Sequence, residues 1–300
     1  MIARSVLDLI GRTPMVKINK LVSSEDAELL AKLEWYNPGG SVKDRMALYL
    51  VEAAEASGRL RKDKVIIEAT SGNTGIALAM IAAVKGYRIV VLMPESVSIE
   101  RRKIIRAYGA DLILSPGEKG TAGAIELKRR IIEEDPEKYV DLDQFSDPAN
   151  IMAHYQTTAR EIIEQTSGKV DMVVVGIGTA GTGVGISMGL KEYKKDVRIV
   201  GVTPKLGISI QGLRNPAEEN PTKLFRPDAF DEIVEIEDLS SIKLMARELA
   251  RKEGLLVGQS SAAIMDVAVK KAKEIGRGRT IVAVLPDNGL KYLSTDLFEY

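Results

Sequence analysis

The 300-residue sequence contains no cysteine and only one histidine, His154. The first absence excludes a disulfide framework, a thiolate metal site and a cysteine nucleophile together. The second leaves a histidine-based triad or a multi-histidine metal cluster short of members. Net charge is missing too, since 42 Lys and Arg balance 42 Asp and Glu. The chain therefore has neither the basic footprint of a nucleic-acid binder nor a polybasic membrane patch. No apolar run is long enough to span a bilayer, and the longest uncharged one lies near residues 76–84. The N-terminus reaches Asp8 before any long apolar stretch and does not read as a signal peptide. A cytoplasmic protein is expected, with chemistry resting on Lys, Ser, Thr, Tyr, Asp, Glu or a bound cofactor.

What is present is a regular alternation of short apolar runs and longer helical patterns. Strands are predicted at 64–68, 88–93 and 111–114, with helices at 75–84, from 98 and at 122–133. A long helical stretch follows Pro148 to about Gln165. Strands at 172–175, 198–202, 232–236 and 280–285 then alternate with helices from 182, at 240–252 and at 260–275. This is an α/β pattern, two open and mostly parallel twisted sheets flanked by helices. The length suggests two domains with a boundary near residue 150. Residues 204–230, rich in Pro, Gly and Asn, read as a long surface loop of a kind that is usually functional.

In such folds ligands bind where loops leave the C-terminal ends of strands, and two such loops stand out. Thr70-Ser71-Gly72-Asn73-Thr74-Gly75 opens a helix with more hydroxyls, amides and free N–H groups than one cap requires, which favours an anion cradle. Gly176-Ile177-Gly178-Thr179-Ala180-Gly181-Thr182 contains a G-x-G-x-x-G spacing. The next strand ends in Val202-Thr203-Pro204 without the acid that would bind a dinucleotide ribose, so a simple phosphate fits better. A third stretch, NPGGSVKDR (37–45), puts Lys43 at a helix start that Ser41 can cap. A cation at the positive end of a helix tends toward a lower pKa. Such a lysine suits a Schiff base to an aldehyde cofactor, and the phosphate loop supplies the other half of a pyridoxal phosphate site. Asp44 and Arg45 read as structural partners.

At these residues the sequence resembles the cysteine synthase and cystathionine β-synthase family of fold type II pyridoxal-phosphate enzymes, which share the tryptophan synthase β-like fold. The markers are IGRTPMV (10–16), NPGGSVKDR, EATSGNTG (68–75), MPESVSIERRKIIRAYGADLIL (93–114), DQFSDPAN (143–150), GIGTAGTG (176–183) and LPDNGLKYLST (285–295). They run in family order over nearly the whole chain. The segments GISIQGLRN (207–215), GLLVGQSSA and LPDNGLKYLST look closest to the CysM-like type of O-acetylserine/O-phosphoserine sulfhydrylase.

The resemblance implies pyridoxal 5′-phosphate bound to Lys43, which then removes the substrate α-proton. Asn73 would bind the cofactor's 3′-oxygen, and Gly178, Thr179, Ala180, Gly181 and Thr182 its phosphate, with Ala180 standing where the family usually has glycine. Thr70, Ser71, Gly72, Thr74 and Gln144 would bind the substrate carboxylate. An uncharged group, Ser260 or Asn288, would face the pyridine nitrogen, and Arg214 would recognise an activated leaving group. The implied reaction makes L-cysteine from an O-activated serine and sulfide through an aminoacrylate. Also implied are a homodimer, a smaller domain of residues 38–150, and a larger one of 1–37 plus 151–300. Cystathionine β-synthase or serine dehydratase activity is the alternative on the same scaffold. A catalytically silent ligand-binding or regulatory homologue is the non-enzyme alternative.

Overall fold

A computed structural model of the chain describes residues 2–218 and 222–299. Strands β1 (Met15–Lys17) and β2 (Glu28–Leu33) precede α1 (Lys43–Ala56). Next come β3 (Val65–Ala69), α2 (Asn73–Lys85), β4 (Arg88–Pro94), α3 (Ile99–Ala107), β5 (Asp111–Ser115), α4 (Gly120–Glu134) and β6 (Tyr139–Asp141). The long helical stretch after Pro148 is α5 (Ala149–Ala153), a π-helical turn (His154–Thr158) and α6 (Ala159–Gln165). Then follow β7 (Met172–Gly176), α7 (Gly181–Tyr193), β8 (Arg198–Pro204), β9 (Glu232–Ile236) and α8 (Leu239–Glu248). A second π-helical turn (Leu249–Glu253), α9 (Gln259–Ile275) and β10 (Thr280–Leu285) complete the order.

The strands form two sheets, one ordered β1-β2-β10-β7-β8-β9 and the other β5-β4-β3-β6. Every pairing is parallel except β1 with β2. Helices cover both faces, so a central strand such as β3 is buried along its whole length, and β7 (MVVVG) carries continuous apolar sequence. One apolar core joins α1 and α2 to the smaller sheet through Met46, Leu50, Ile66, Ile76 and Val91. Two others fill the opposite faces of the larger sheet, under α9 and under α7.

The predicted strands and helices all occur, with ends shifted by a residue or two. Three strands, β1, β2 and β6, were not predicted. Two of the predicted helices, the stretch after Pro148 and that at 240–252, each contain a π turn, at His154–Thr158 and Leu249–Glu253. Between β8 and β9 the described residues form no strand and only a short 3-10 helix at Pro227–Ala229. Glu219 to Pro221, within the predicted loop, lie outside the described residues. Among the described residues no helix is long and apolar enough to cross a membrane.

Candidate active site

The C-terminal ends of β3 and β7, one from each sheet, face a common cavity. Its inner part is lined by Lys43, Asn73, Thr179, Ala180, Thr182 and Ser260, among others. It opens into a cleft of about 510 Å³ that shares Lys43, Asn73, Gly178 and Thr179 and adds Thr70, Ser71, Thr74, Gln144 and Arg214. The topology thus brings together loops that lie more than a hundred residues apart.

Lys43 is the first residue of α1. The Ser41 hydroxyl accepts from the Lys43 backbone N–H at 3.2 Å, the capping contact expected of it, although Val42 occupies the cap position itself. Burial lowers the Lys43 side chain from its usual 10.5 to about 8, and no neighbouring charge contributes to the shift. The next two residues fix this helix start. Asp44, pushed up to about 7 by burial, accepts from the Gly39 N–H at 2.5 Å and holds the glycine turn. A Cβ at Gly39 would sit 2.5 Å from that carboxylate, so the turn requires glycine.

Arg45 is fully buried and paired on two sides, with Glu34 at 2.7 Å and Glu161 at 2.5 Å. Its guanidinium also reaches Thr13, and Lys32 completes the cluster through Glu161 at 2.8 Å. Burial pushes Glu34 and Glu161 up, but Arg45 and Lys32 more than offset it, leaving both below the ordinary carboxylate value. Losing one member of such a cluster leaves an uncompensated buried charge.

The phosphate-loop residues surround the N-terminus of the 13-residue helix α7, which has no side-chain cap. Its first N–H groups lack intrahelical partners and carry the positive end of the dipole. Two hydroxyls flank them. Thr179 accepts from Asn150 at 2.9 Å, and Thr182 is linked to His154 Nε2 at 3.1 Å. Burial, with Arg45 nearby, lowers His154 to about 3, so the ring is neutral. His154 also meets Thr158 across the π turn at 2.9 Å, and so belongs to the scaffold of the loop.

Gly181 has no room for a side chain, because a Cβ there would lie 2.1 Å from Asn150 Oδ1. Ala180 has φ 68°, in the left-handed region where glycine is free of strain and alanine costs about 1–2 kcal/mol. That is the physical consequence of alanine at a position where the family usually has glycine.

On the other side, Gly72 (φ 141°) turns the chain from β3 into α2, with its N–H donating to Thr70 Oγ1 at 3.0 Å. Gly72 itself is absent from the cavity wall, since Arg101 packs where its side chain would be. Thr74 donates to Gln144 Oε1 at 2.7 Å, and Gln144 Nε2 donates to the buried Glu68 at 3.1 Å. The Gln144 amide is thereby fixed, with one N–H left over. Asn150 donates both to the Gln144 carbonyl and to Thr179, tying the two loops together.

Of the two residues expected at the pyridine nitrogen, the structure brings only Ser260 to the cavity, at the first turn of α9. Asn288 is not among the lining residues. Its side chain instead accepts from the Leu290 N–H at 3.2 Å and caps the next 3-10 turn. Arg214 lies on the wall of the outer cleft, 3.0 Å from Glu218 and over the Phe145 ring. Sequence reasoning assigned no role to Asn150, Arg101, Asp287, Lys291 or Tyr292, which surround the predicted residues. All five belong to quoted motifs but carry no local signal of their own.

The residues present fit a phosphorylated aldehyde. An uncapped helix N-terminus flanked by two threonine hydroxyls suits the phosphate, and an amine shifted toward neutrality by burial suits the aldehyde. These features define a pyridoxal-phosphate site on a doubly layered α/β scaffold. Consistent with this, residues 6–287 match the family model described as pyridoxal-phosphate dependent enzyme, and the chain belongs to that family. A cysteine synthase of Staphylococcus aureus is 41% identical over 99% of this chain and 97% of its own length. The solved cysteine synthase of Entamoeba histolytica superposes with a TM-score of 0.93 at 39% identity, covering 100% of this chain and 92% of that one. A hydrogen sulfide-producing enzyme of Fusobacterium nucleatum gives 0.92 at 40% identity, covering 97% and 100%. The protein is thus a fold type II pyridoxal-phosphate enzyme of the cysteine synthase type.

Proposed function

We propose that the protein makes L-cysteine by β-replacement on O-acetylserine or O-phosphoserine with sulfide. The Cβ–O bond breaks with release of acetate or phosphate, and a C–S bond forms. The observation that carries this reading is Lys43, shifted to about 8 by burial at the junction of the uncapped α7 N-terminus and the Thr70–Thr74 loop. When bound, pyridoxal phosphate supplies an aldehyde that takes up the amino group and a ring that accepts the electron pair left at Cα.

The chain's own groups do the rest. The α7 N-terminus, Thr179 and Thr182 hold the phosphate, and Asn73 donates to the ring oxygen. The Ser260 hydroxyl, being uncharged, leaves the ring nitrogen unprotonated and restrains its electron-withdrawing power, which favours elimination and replacement over transamination. Thr70, Ser71 and the remaining Gln144 N–H orient the substrate carboxylate, while Lys43 Nζ takes the Cα proton. Arg214 faces the leaving group, where a phosphate must share its guanidinium with Glu218. The family resemblance adds a cytoplasmic homodimer, which light scattering on the purified protein would report.

Another solved structure that superposes with a TM-score of 0.93, at 38% identity, is an O-ureido-L-serine synthase, which makes the use of sulfide a point to test. The test is spectroscopic first. Wild type should acquire a visible band with pyridoxal phosphate, and Lys43→Ala should not. Sulfide-dependent cysteine formation from O-acetylserine, O-phosphoserine and serine then identifies the donor. Failure of all three donors in a loaded wild type would sink the proposal. Unchanged O-phosphoserine use in Arg214→Ala would remove that residue's role.

A further inference from the structure

Asn73 stands at the helix start between the two sheets, and both ends of its carboxamide are held by the far C-terminal stretch. Lys291 Nζ donates to Asn73 Oδ1 at 2.9 Å, and Asn73 Nδ2 donates to Asp287 Oδ2 at 2.8 Å. Lys291 also donates to the Gly40 carbonyl at 2.9 Å, just before Lys43. Asp287 accepts from the Tyr292 hydroxyl at 3.0 Å, and the Arg101 guanidinium lies 3.9 Å away and over the Tyr292 ring. Lys291 and Asp287 are both buried, and neither takes part in the reaction as proposed.

A lysine ammonium only donates and a carboxylate only accepts. Turning the Asn73 amide over would set its NH₂ against the ammonium and its oxygen against the carboxylate. Two buried charges of opposite sign therefore admit a single orientation. In that orientation one N–H of the side chain remains for a ligand in the cavity that Asn73 lines.

We infer that Lys291 and Asp287 are positioning residues that lock the Asn73 carboxamide so that its remaining N–H is presented to the ring oxygen of bound pyridoxal phosphate. The inference rests on the cofactor reading above. Without the clamp the amide carbonyl can turn into the cavity, where it repels the same oxygen. Charge separation on the cofactor ring, and hence its colour, depends on which of the two faces that atom.

The test uses full-length Lys291→Met and Lys291→Arg, with Asn73→Ala and the double variant Asn73→Ala/Lys291→Met. Two quantities are read: the dissociation constant of pyridoxal phosphate by fluorescence titration, and the ratio of visible to near-ultraviolet absorption of the loaded protein. K291M should bind the cofactor about ten-fold more weakly, the scale of one charge-assisted hydrogen bond. Its absorption should move toward the near ultraviolet, and K291R should restore both values. In the N73A background K291M should add nothing.

If K291M does not fold, Asp287→Asn, which removes the charge that selects the orientation, should show the same spectral movement. A folded K291M, or in its place a folded D287N, with wild-type affinity and spectrum overturns the inference. An undiminished K291M effect in N73A overturns it as well. A wild type that takes up no cofactor overturns the underlying reading instead, so the two failures are distinct.

Discussion

In the cofactor-free protein, the reactivity of Lys43 toward acetic anhydride should follow the neutral fraction of its amine. Burial takes this group from 10.5 to about 8. At pH 7 a group at 8 is neutral in about one molecule in eleven, against roughly one in three thousand for a group at 10.5. The fold thus enlarges the reactive fraction by roughly 300-fold before any cofactor arrives. Because the folded value is depressed, the unfolded chain binds more protons between about 8 and 10.5. The penalty that this lysine places on folding is therefore complete below 8 and fades as pH rises through that window. The assay is brief acetylation across a pH series, with mass spectrometric readout at Lys43 and, as reference, the same stretch as a free peptide. The protein should show a midpoint near 8 and the peptide one near 10.5. Coincident midpoints would refute the desolvation reasoning.

Arg45→Met should destabilise the protein by about 3–5 kcal/mol in urea denaturation at neutral pH, because it strips the fully buried Glu34 of its ion-pair partner and leaves Glu161 paired with Lys32 alone. In the intact protein Glu34 lies below the ordinary carboxylate value, so its contribution is present above that range and is lost as pH falls. In the variant Lys32 and Thr13 still favour the Glu34 carboxylate, but burial is no longer countered by Arg45 and weighs toward the protonated acid. The gap between the two proteins should therefore narrow toward acid pH; a constant gap would argue against the pairing. In Gly178→Ala the new methyl would sit 2.5 Å from the Gly212 carbonyl oxygen, a backbone atom. Overpacking of this kind costs about 1–3 kcal/mol, and pyridoxal phosphate affinity should fall accordingly in a fluorescence titration. Unchanged affinity would show that residues 207–215 yield freely.

The repeated strand and helix pattern was legible because parallel strands buried on both faces carry unbroken apolar runs such as VVVG and IVAVL. The loops after β3 and β7 were legible because a cap needs one polar residue and these have several. By contrast β2, Glu28–Leu33, is composed of Glu, Leu, Ala and Lys, all good helix formers. Pairing with β10 overrides that propensity, and its buried lysine, Lys32, is explained only by partners outside the strand, Glu161, Gln165 and the Thr13 carbonyl. The three-residue strands β1 and β6 are too short for any period to show. The partners of Asn73 were hidden for a similar reason: Asp287 and Lys291 lie 214 and 218 positions away. The exclusion of Asn288 from the cavity also turned on a capping hydrogen bond that spacing alone does not reveal.

The place of β10 in the larger sheet sets an order on biosynthesis. It pairs with β2 on one side and β7 on the other, so a chain leaving the ribosome N-terminus first exposes β2 long before its neighbour is made. Lys43 and the loop after β3 are translated early, yet the aspartate and lysine that hold Asn73 arrive 214 and 218 residues after it. Joining such distant segments is slow, because the loop entropy is spent before the contacts form. A nascent chain can therefore build the smaller sheet early but gains a finished cofactor seat only once β10, Asp287 and Lys291 have been made.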